Sequence, residues 1–277
     1  MLVTRFAPSP TGRLHLGHAH SALVGWTRAR RSGGRFLLRI EDIDQTRCRP
    51  AFEADLIDDL RRLGVDWDGP IRRQSEHMTD YRAALDQLSD RGLIYPCFCT
   101  RKDVAAEIAR AGGAPHGPDG PLYPGICRRL GADERQRRIA GGAAFALRLD
   151  VEKAVAQAGA LTWVDHRRGR QSAEPEILGD VVLARKECPT SYHLSVTVDD
   201  ALQGVTLVTR GEDLFFASHL HRLLQALLGL DVPEWDHHPL LTNAAGERLS
   251  KRDGAVSLRS LFDAGLSVEQ VRSMAGF

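Results

Sequence analysis

The sequence predicts an α/β protein: a doubly wound, mostly parallel sheet interrupted by an inserted subdomain. Two stretches read as strand–helix units of such a sheet, residues 2–40 and residues 205–229. Between them, residues 93–180 lose that rhythm and gather cysteine, glycine and proline. The expected division is 1–92 for the first half of the sheet, 93–180 for the insertion and 181–277 for the second half.

Leu2-Val3-Thr4 reads as a short buried strand. Ala19, Ala22, Leu23 and Trp26 fall at i, i+3, i+4 and i+7, the stripe of a helix lying on a sheet. The stretch between, Arg5-Phe-Ala-Pro-Ser-Pro-Thr-Gly-Arg-Leu-His-Leu-Gly-His18, therefore joins a strand to a helix N-terminus, where unpaired backbone N–H groups favour a phosphate. Pro8, Pro10 and Gly12 shape the turn, and His15 and His18 sit one helical turn apart. A nucleoside triphosphate is the expected ligand.

The helix should stop at Ser32-Gly33-Gly34, with Arg28, Arg30 and Arg31 in its last turn, where cations suit the dipole. Arg35–Ile40 follows as a strand with a mostly apolar run, and its carboxyl end carries Glu41, Asp42 and Asp44. Ligands in open α/β sheets lie beyond the carboxyl ends of the strands. These carboxylates are placed to take an ammonium group or a metal-bound phosphate; a solvated acidic loop is the alternative. Pro50 opens a further helix ending at Gly64, and Thr79 another, closed by Gly92. Both are scaffold.

In the insertion, Tyr95-Pro-Cys97-Phe-Cys99 leads into Thr100-x-x-Asp103, a capping box. Cys97, Cys99 and Cys127 can supply three thiolates to a tetrahedral zinc, with Tyr123 or His116 as fourth ligand. Buried, unliganded cysteines are the competing reading. Cys48 and Cys188 stand apart. Beyond it, Phe145–Leu149, Val181–Ala184 and Leu194–Val198 read as strands from their β-branched and apolar content, and 165–176 as a surface turn. Val205–Thr209 is a core strand delivering Arg210-Gly-Glu-Asp213. His237 and His238 precede a short strand at Pro239-Leu-Leu and read as structural. Glu247-Arg-Leu-Ser-Lys-Arg-Asp-Gly254 holds Lys251, one of only four lysines, in a loop able to close on phosphates. Ser267-x-x-Gln270 caps a last short helix.

Composition excludes several classes. Hydrophobic content of 43% and charged content of 26% are those of an ordinary globular chain. No run reaches about 18 apolar residues, so no membrane-spanning helix is expected. No secretory leader is recognisable, and five cysteines do not make a disulfide framework, so a reducing cytoplasm is expected. The net charge of +1 is silent on a nucleic-acid partner.

His15-Leu-Gly-His18 and Arg248-Leu-Ser-Lys-Arg252 together resemble the two signatures of class I aminoacyl-tRNA synthetases, and so imply their Rossmann-like fold. Arg5–Gly12, Arg39-Ile-Glu-Asp42, Tyr192-His193 with Asp199-Asp200, and Arg210–Asp213 narrow the resemblance to glutamyl-tRNA synthetases over almost the whole chain. It implies a glutamate pocket of Arg5, Phe6, Ala7, Pro8, Ser9, Glu41, Tyr192 and Arg210. It implies ATP held by His15, Gly17, His18 and Lys251, with magnesium. His15, His18 and Lys251 then stabilise phosphate charge during adenylate formation.

Two departures point further. Only 25 residues follow Arg252, so no anticodon-binding domain is expected, and Val196 stands where the family has an asparagine. With the Cys-x-Cys…Tyr-x-x-x-Cys spacing, these resemble the truncated glutamyl-queuosine tRNA(Asp) synthetase family. That resemblance implies one structural zinc on Cys97, Cys99, Tyr123 and Cys127. It also implies transfer of glutamate to queuosine in the anticodon stem-loop of tRNA(Asp). A minimal glutamyl-tRNA synthetase acting on a tRNA 3′ end, and a non-catalytic tRNA-binding paralog, are the alternatives.

Overall fold

A computed structural model describes residues 1–110, 115–118, 120–242 and 256–277. Strand β1 (Val3–Phe6) feeds the turn into helix α1 (Leu16–Arg31), which ends at Ser32 with Gly33 at φ +64°. Strand β2 (Arg35–Ile40) returns parallel to β1, pairing Val3 with Arg35 and Phe6 with Leu38. Helix α2 (Pro50–Arg62) carries Pro50 in its first turn, and the short β3 (Arg72–Arg73) adds to the far side of β2. Helix α3 (Met78–Asp90) buries Tyr81, Ala84, Leu85 and Leu88.

The insertion opens with β4 (Ile94–Cys97) and α4 (Arg101–Arg110), the latter capped by reciprocal bonds between Thr100 and Asp103. A two-residue pairing of β5 (His116–Gly117) with β6 (Gly120–Pro121) precedes α5 (Ala132–Ala140), β7 (Ala146–Leu149) and α6 (Val151–Ala158). Next come β8 (Thr162–Asp165), β9 (Gly169–Ser172) and β10 (Val182–Ala184). Helix α7 (Tyr192–Leu202), β11 (Leu207–Gly211), α8 (Ala217–Leu228), β12 (Glu234–His238), α9 (Leu258–Asp263) and α10 (Val268–Met274) complete the chain.

The main sheet has two parts, β1-β2-β3 and β11-β12-β8-β9, parallel throughout except for β9. They meet where β11 runs beside β1: Thr206 N–H donates to Val3 O at 2.9 Å, and Arg5 Nη1 reaches Thr209 O at 3.2 Å. Strand order therefore reverses at β1, which is where an open α/β sheet forms its ligand crevice. Gly25 lets α1 lie against this seam, since a Cβ there would stand 2.8 Å from Thr209 Oγ1. A separate antiparallel sheet, β10-β7-β4, forms the insertion's frame.

Three expectations change. Residues 194–198 are helix, not strand. Ser191 caps α7 through a bond from Leu194 N–H, and every residue from Leu194 to Asp200 is buried. A helix enclosed on all sides shows no polar stripe, so its β-branched run mimics a strand. The stretch 165–176 is not a plain turn: β8 and β9 form a hairpin on the edge of the main sheet, with Asp165 buried. The strand expected at 239–241 lies earlier, at 234–238, and Pro239, which has no N–H for a ladder, follows it. Three strands cross the division at 93–180, because β8 and β9 join the main sheet while β10 joins the insertion's sheet.

Candidate active site and metal centre

A cleft of about 350 Å³ opens at the strand reversal. From β1 and its turn it is lined by Arg5, Phe6, Ala7, Pro8 and Ser9, and from the start of α1 by His15, Gly17 and His18. Glu41 enters from the end of β2, Tyr192 from the start of α7 and Arg210 from the end of β11. Lys251 lies outside the described residues, as do Arg248, Ser250 and Arg252. The residues flanking that segment sit at the same place. Leu240 and Leu241 line the cleft, and Ser257 bridges to His15, with Leu258 N–H donating to Leu14 O at 2.8 Å.

The two histidines are helix caps. His15 Nδ1 accepts from Gly17 N–H at 3.1 Å, and His18 Nδ1 accepts from His15 N–H at 3.2 Å. Each Nδ1 is thus an acceptor, so a neutral ring carries its hydrogen on Nε2. Glycine at 17 suits this arrangement, for a Cβ would press on the His15 ring, 3.0 Å from Cε1.

Beneath the cleft runs a buried charge network. Asp200 accepts from Arg5 Nε at 2.9 Å and from Arg39 Nη1 at 2.8 Å. Asp199 accepts from Arg72, Gln74 and Tyr81 at 2.7–3.0 Å. Burial opposes the Asp200 charge, but Arg5 and Arg39 outweigh it and hold its pKa below the usual carboxylate range. Glu41 differs. Its only ion pair among the described residues is a long contact to Arg39, 3.4 Å, and burial pushes its pKa up to about 7 against the pull of Arg39 and Arg5. Asp42 and Asp44 do not join it: Asp42 accepts from Ser75, and Asp44 from Thr46 and Arg47. The expected carboxylate cluster is therefore one carboxylate, Glu41.

In the insertion, the sulfurs of Cys97, Cys99 and Cys127 lie within 4.8 Å of one another. The Tyr123 hydroxyl is 3.3 Å from Cys97 Sγ and 3.6 Å from Cys99 Sγ, whereas His116 falls outside the cluster. A tetrahedral zinc with bonds of about 2.3 Å sets its sulfurs roughly 3.8 Å apart, so the donor set fits that ion. Burial raises the Cys97 thiol, but hydrogen bonding to Tyr123 and Arg148 outweighs it and lowers its pKa; burial pushes Cys99 up to about 12. Arg148 covers the Tyr123 ring at 3.9 Å. Cys48 and Cys188 instead face the carbonyls of Glu41 and Ile43.

With this geometry in place, the comparisons with known proteins become specific. The family model of class I tRNA synthetases (E and Q), catalytic domain, matches residues 1–269. The chain belongs to this family. It is thus a ligase-type enzyme of the class I synthetases. A protein of Rhodobacter capsulatus named glutamyl-Q tRNA(Asp) synthetase is 51% identical over 280 residues, covering 99% of this chain and all of that protein. One of the same name from Nocardia farcinica is 47% identical, covering 98% and 82%. A glutamate–tRNA ligase from Elizabethkingia meningosepticum, solved in complex with its amino acid, superposes with a TM-score of 0.77 at 31% identity over 91% of this chain. The chain spans about half the length of that ligase (52%).

Within this synthetase fold, some cleft components carry no sequence signal. Asp165, Ser218, His221 and His237 converge behind Arg210 from three separate elements, α8, β8 and β12. His238 points the other way, to Ser21 at 2.9 Å, and lines the cleft. Val196 is buried and is not among the cleft-lining residues. No helix among the described residues is long and apolar enough to cross a membrane.

Proposed function

We propose that this chain activates L-glutamate with ATP and transfers the glutamyl group to queuosine in the anticodon of tRNA(Asp). The observation that carries activation is the pairing, in one cleft, of the capping histidines with a buried guanidinium, Arg210, and a buried carboxylate, Glu41. Glutamate offers two carboxylates and one ammonium. Arg5 and Arg210 take the carboxylates, Glu41 takes the ammonium, and Tyr192 and Ser9 complete the pocket.

In the first step an oxygen of the α-carboxylate attacks the α-phosphorus of ATP, and the bond to pyrophosphate breaks. His15 and His18 donate Nε2–H to phosphate oxygens as charge builds, with Gly17 leaving room at the helix mouth, and Lys251 neutralises the departing pyrophosphate. Mg²⁺ bound with ATP would screen its phosphates. In the second step a queuosine hydroxyl attacks the acyl carbon and releases AMP. Cys97, Cys99, Cys127 and Tyr123 hold one structural zinc, since four protein ligands leave no open position. A reducing cytoplasm suits three free thiols this close together.

The choice of queuosine rests on relatives whose names specify it, among them those at 51% and 47% identity. The test is glutamate-dependent exchange of labelled pyrophosphate into ATP, followed by glutamate labelling of tRNA(Asp) with and without queuosine. No exchange removes the activation step. Equal labelling of the two tRNAs removes queuosine as acceptor, and labelling of a tRNA 3′ end supports a minimal glutamyl-tRNA synthetase.

A further inference from the structure

Three buried arginines underlie the cleft, and their partners differ in kind. Arg39 meets Glu41, Asp199 and Asp200, and Arg5 meets Asp200. Arg210, only 6% exposed, ion-pairs with no carboxylate among the described residues. Its partners are neutral. Nε donates to His237 Nε2 at 3.1 Å, Nη1 lies 3.3 Å from both Tyr192 Oη and His221 Nδ1, and Nη2 donates to Ser218 Oγ at 2.5 Å.

A guanidinium can only donate, so His237 Nε2 is an acceptor and the ring hydrogen sits on Nδ1. That Nδ1–H points at Asp165 Oδ2, 2.7 Å away, with both side chains fully buried. The other oxygen, Asp165 Oδ1, accepts the backbone N–H groups of Arg167 and Arg168 at 2.9 and 2.8 Å, which locks the carboxylate in the β8–β9 turn. Ser218 Oγ also contacts His237 Nε2 at 3.1 Å. Burial and the nearby Arg210 push the His237 pKa down to about 3, so the ring stays neutral despite Asp165.

We propose that Asp165 and His237 are a positioning pair: the carboxylate fixes the imidazole tautomer, and the imidazole aims Arg210 without neutralising it. A carboxylate in direct contact would orient the guanidinium equally well but would compete with an incoming anion for its charge. Setting the acid one ring away keeps the orientation and leaves the charge for a substrate carboxylate. Behind Nη1 the chain repeats the device without an acid: His221 Nε2 lies 3.2 Å from His193 Nδ1, and burial, with Arg210 close by, pushes the His193 pKa down to about 4. The inference rests on the reading that Arg210 receives a carboxylate of glutamate.

Pyrophosphate exchange on purified, full-length variants tests it, with the KM for glutamate, the KM for ATP and the melting temperature read together. Asp165→Asn and His237→Leu are expected to raise the KM for glutamate about ten- to hundredfold, the size of one lost hydrogen bond to a charged group. The KM for ATP should move less than about twofold, the usual scatter of a remote change. His237→Gln, which keeps an acceptor for Arg210, should recover most of the loss. His237→Glu, which places an acid against Arg210, should be worse than His237→Gln. A wild-type KM for glutamate in folded Asp165→Asn or His237→Leu overturns the proposal, as does an equal loss for ATP. If both fail to fold, equal glutamate KM values for His237→Gln and His237→Glu overturn it. Arg210→Ala separates the layers: an unchanged glutamate KM there defeats the reading of Arg210 itself. A raised value there, with indifferent 165 and 237 variants, defeats only the positioning pair.

Discussion

Glutamate binding should depend on pH through Glu41. Its carboxyl is buried, its one ion pair to Arg39 is long at 3.4 Å, and its pKa is raised to about 7. An ammonium ligand needs the ionised form, so the empty site must lose a proton before or as glutamate binds. With a midpoint near 7, Glu41 is about nine-tenths ionised at pH 8 and about one-tenth at pH 6, so affinity should fall about tenfold between them. The amino acid keeps its own charges constant over that range, its carboxylates titrating near 4 or below and its ammonium well above 8. The assay is kcat/KM for glutamate by pyrophosphate exchange from pH 5.5 to 8.5, which reports the free enzyme's ionisation. Below the midpoint the profile should fall tenfold per unit and above it level off. The Glu41→Gln variant should bind glutamate weakly and lose that slope. A flat wild-type profile, or a Glu41→Gln variant with unchanged glutamate KM, would refute the assignment. The same raised pKa has a sign for stability. The folded protein binds this proton more tightly than the unfolded chain, so the contribution is present below about 4.5 and is lost as pH rises through about 7.

Three further outcomes are expected. Asp200→Asn leaves Arg5 and Arg39 buried without their shared carboxylate, a change worth about 3–5 kcal/mol by urea unfolding. Because the Asp200 pKa is held down, that stabilisation is present above the usual carboxylate range and is lost as pH falls through its lowered value, and the Asn variant should lack this acid limb. His15→Ala should lower the adenylation rate by about 10²–10³ while costing about 1 kcal/mol as a lost cap, with glutamate affinity nearly intact; a matching loss in glutamate binding would show the histidine misassigned. Elemental analysis should find about one zinc per chain, with Cys127→Ser losing it and Tyr123→Phe holding it less tightly against a chelator; a metal-free native protein would reduce residues 97–127 to a plain insertion.

The parts of the fold legible in sequence are those whose signals are local. The β1–α1–β2 crossover shows because Ala19, Ala22 and Leu23 are buried at helical spacing, with Trp26 packed partly against the same core, while the last turn of α1 carries Arg28, Arg30 and Arg31. The Thr100–Asp103 and Ser267–Gln270 caps show because both partners lie within four residues. Helix α7 did not show, since tertiary burial of Leu194–Asp200 erased the polar face that gives a helix its period. The fourth donor beside the three cysteines was ambiguous because His116 and Tyr123 both lie between Cys99 and Cys127 and both can ligate a metal; the folded chain brings only Tyr123 to the sulfurs.

By itself, then, the sequence determined the chemistry on offer: the capping histidines, two arginines and an acid at strand ends, and three thiols in an insertion. Residue type and short spacing specify these, as does the family resemblance they carry. Tertiary structure decided how each group is charged and aimed. Glu41 sits near neutrality because the fold buries it while Asp200 takes the closer arginine contacts. Arg210 is left without a contacting carboxylate among the described residues because β8, α8 and β12 surround it with neutral acceptors and hold Asp165 one ring away. Those effects depend on distance and burial across more than 150 residues of chain, for Glu41 and Asp200, and no local pattern encodes them.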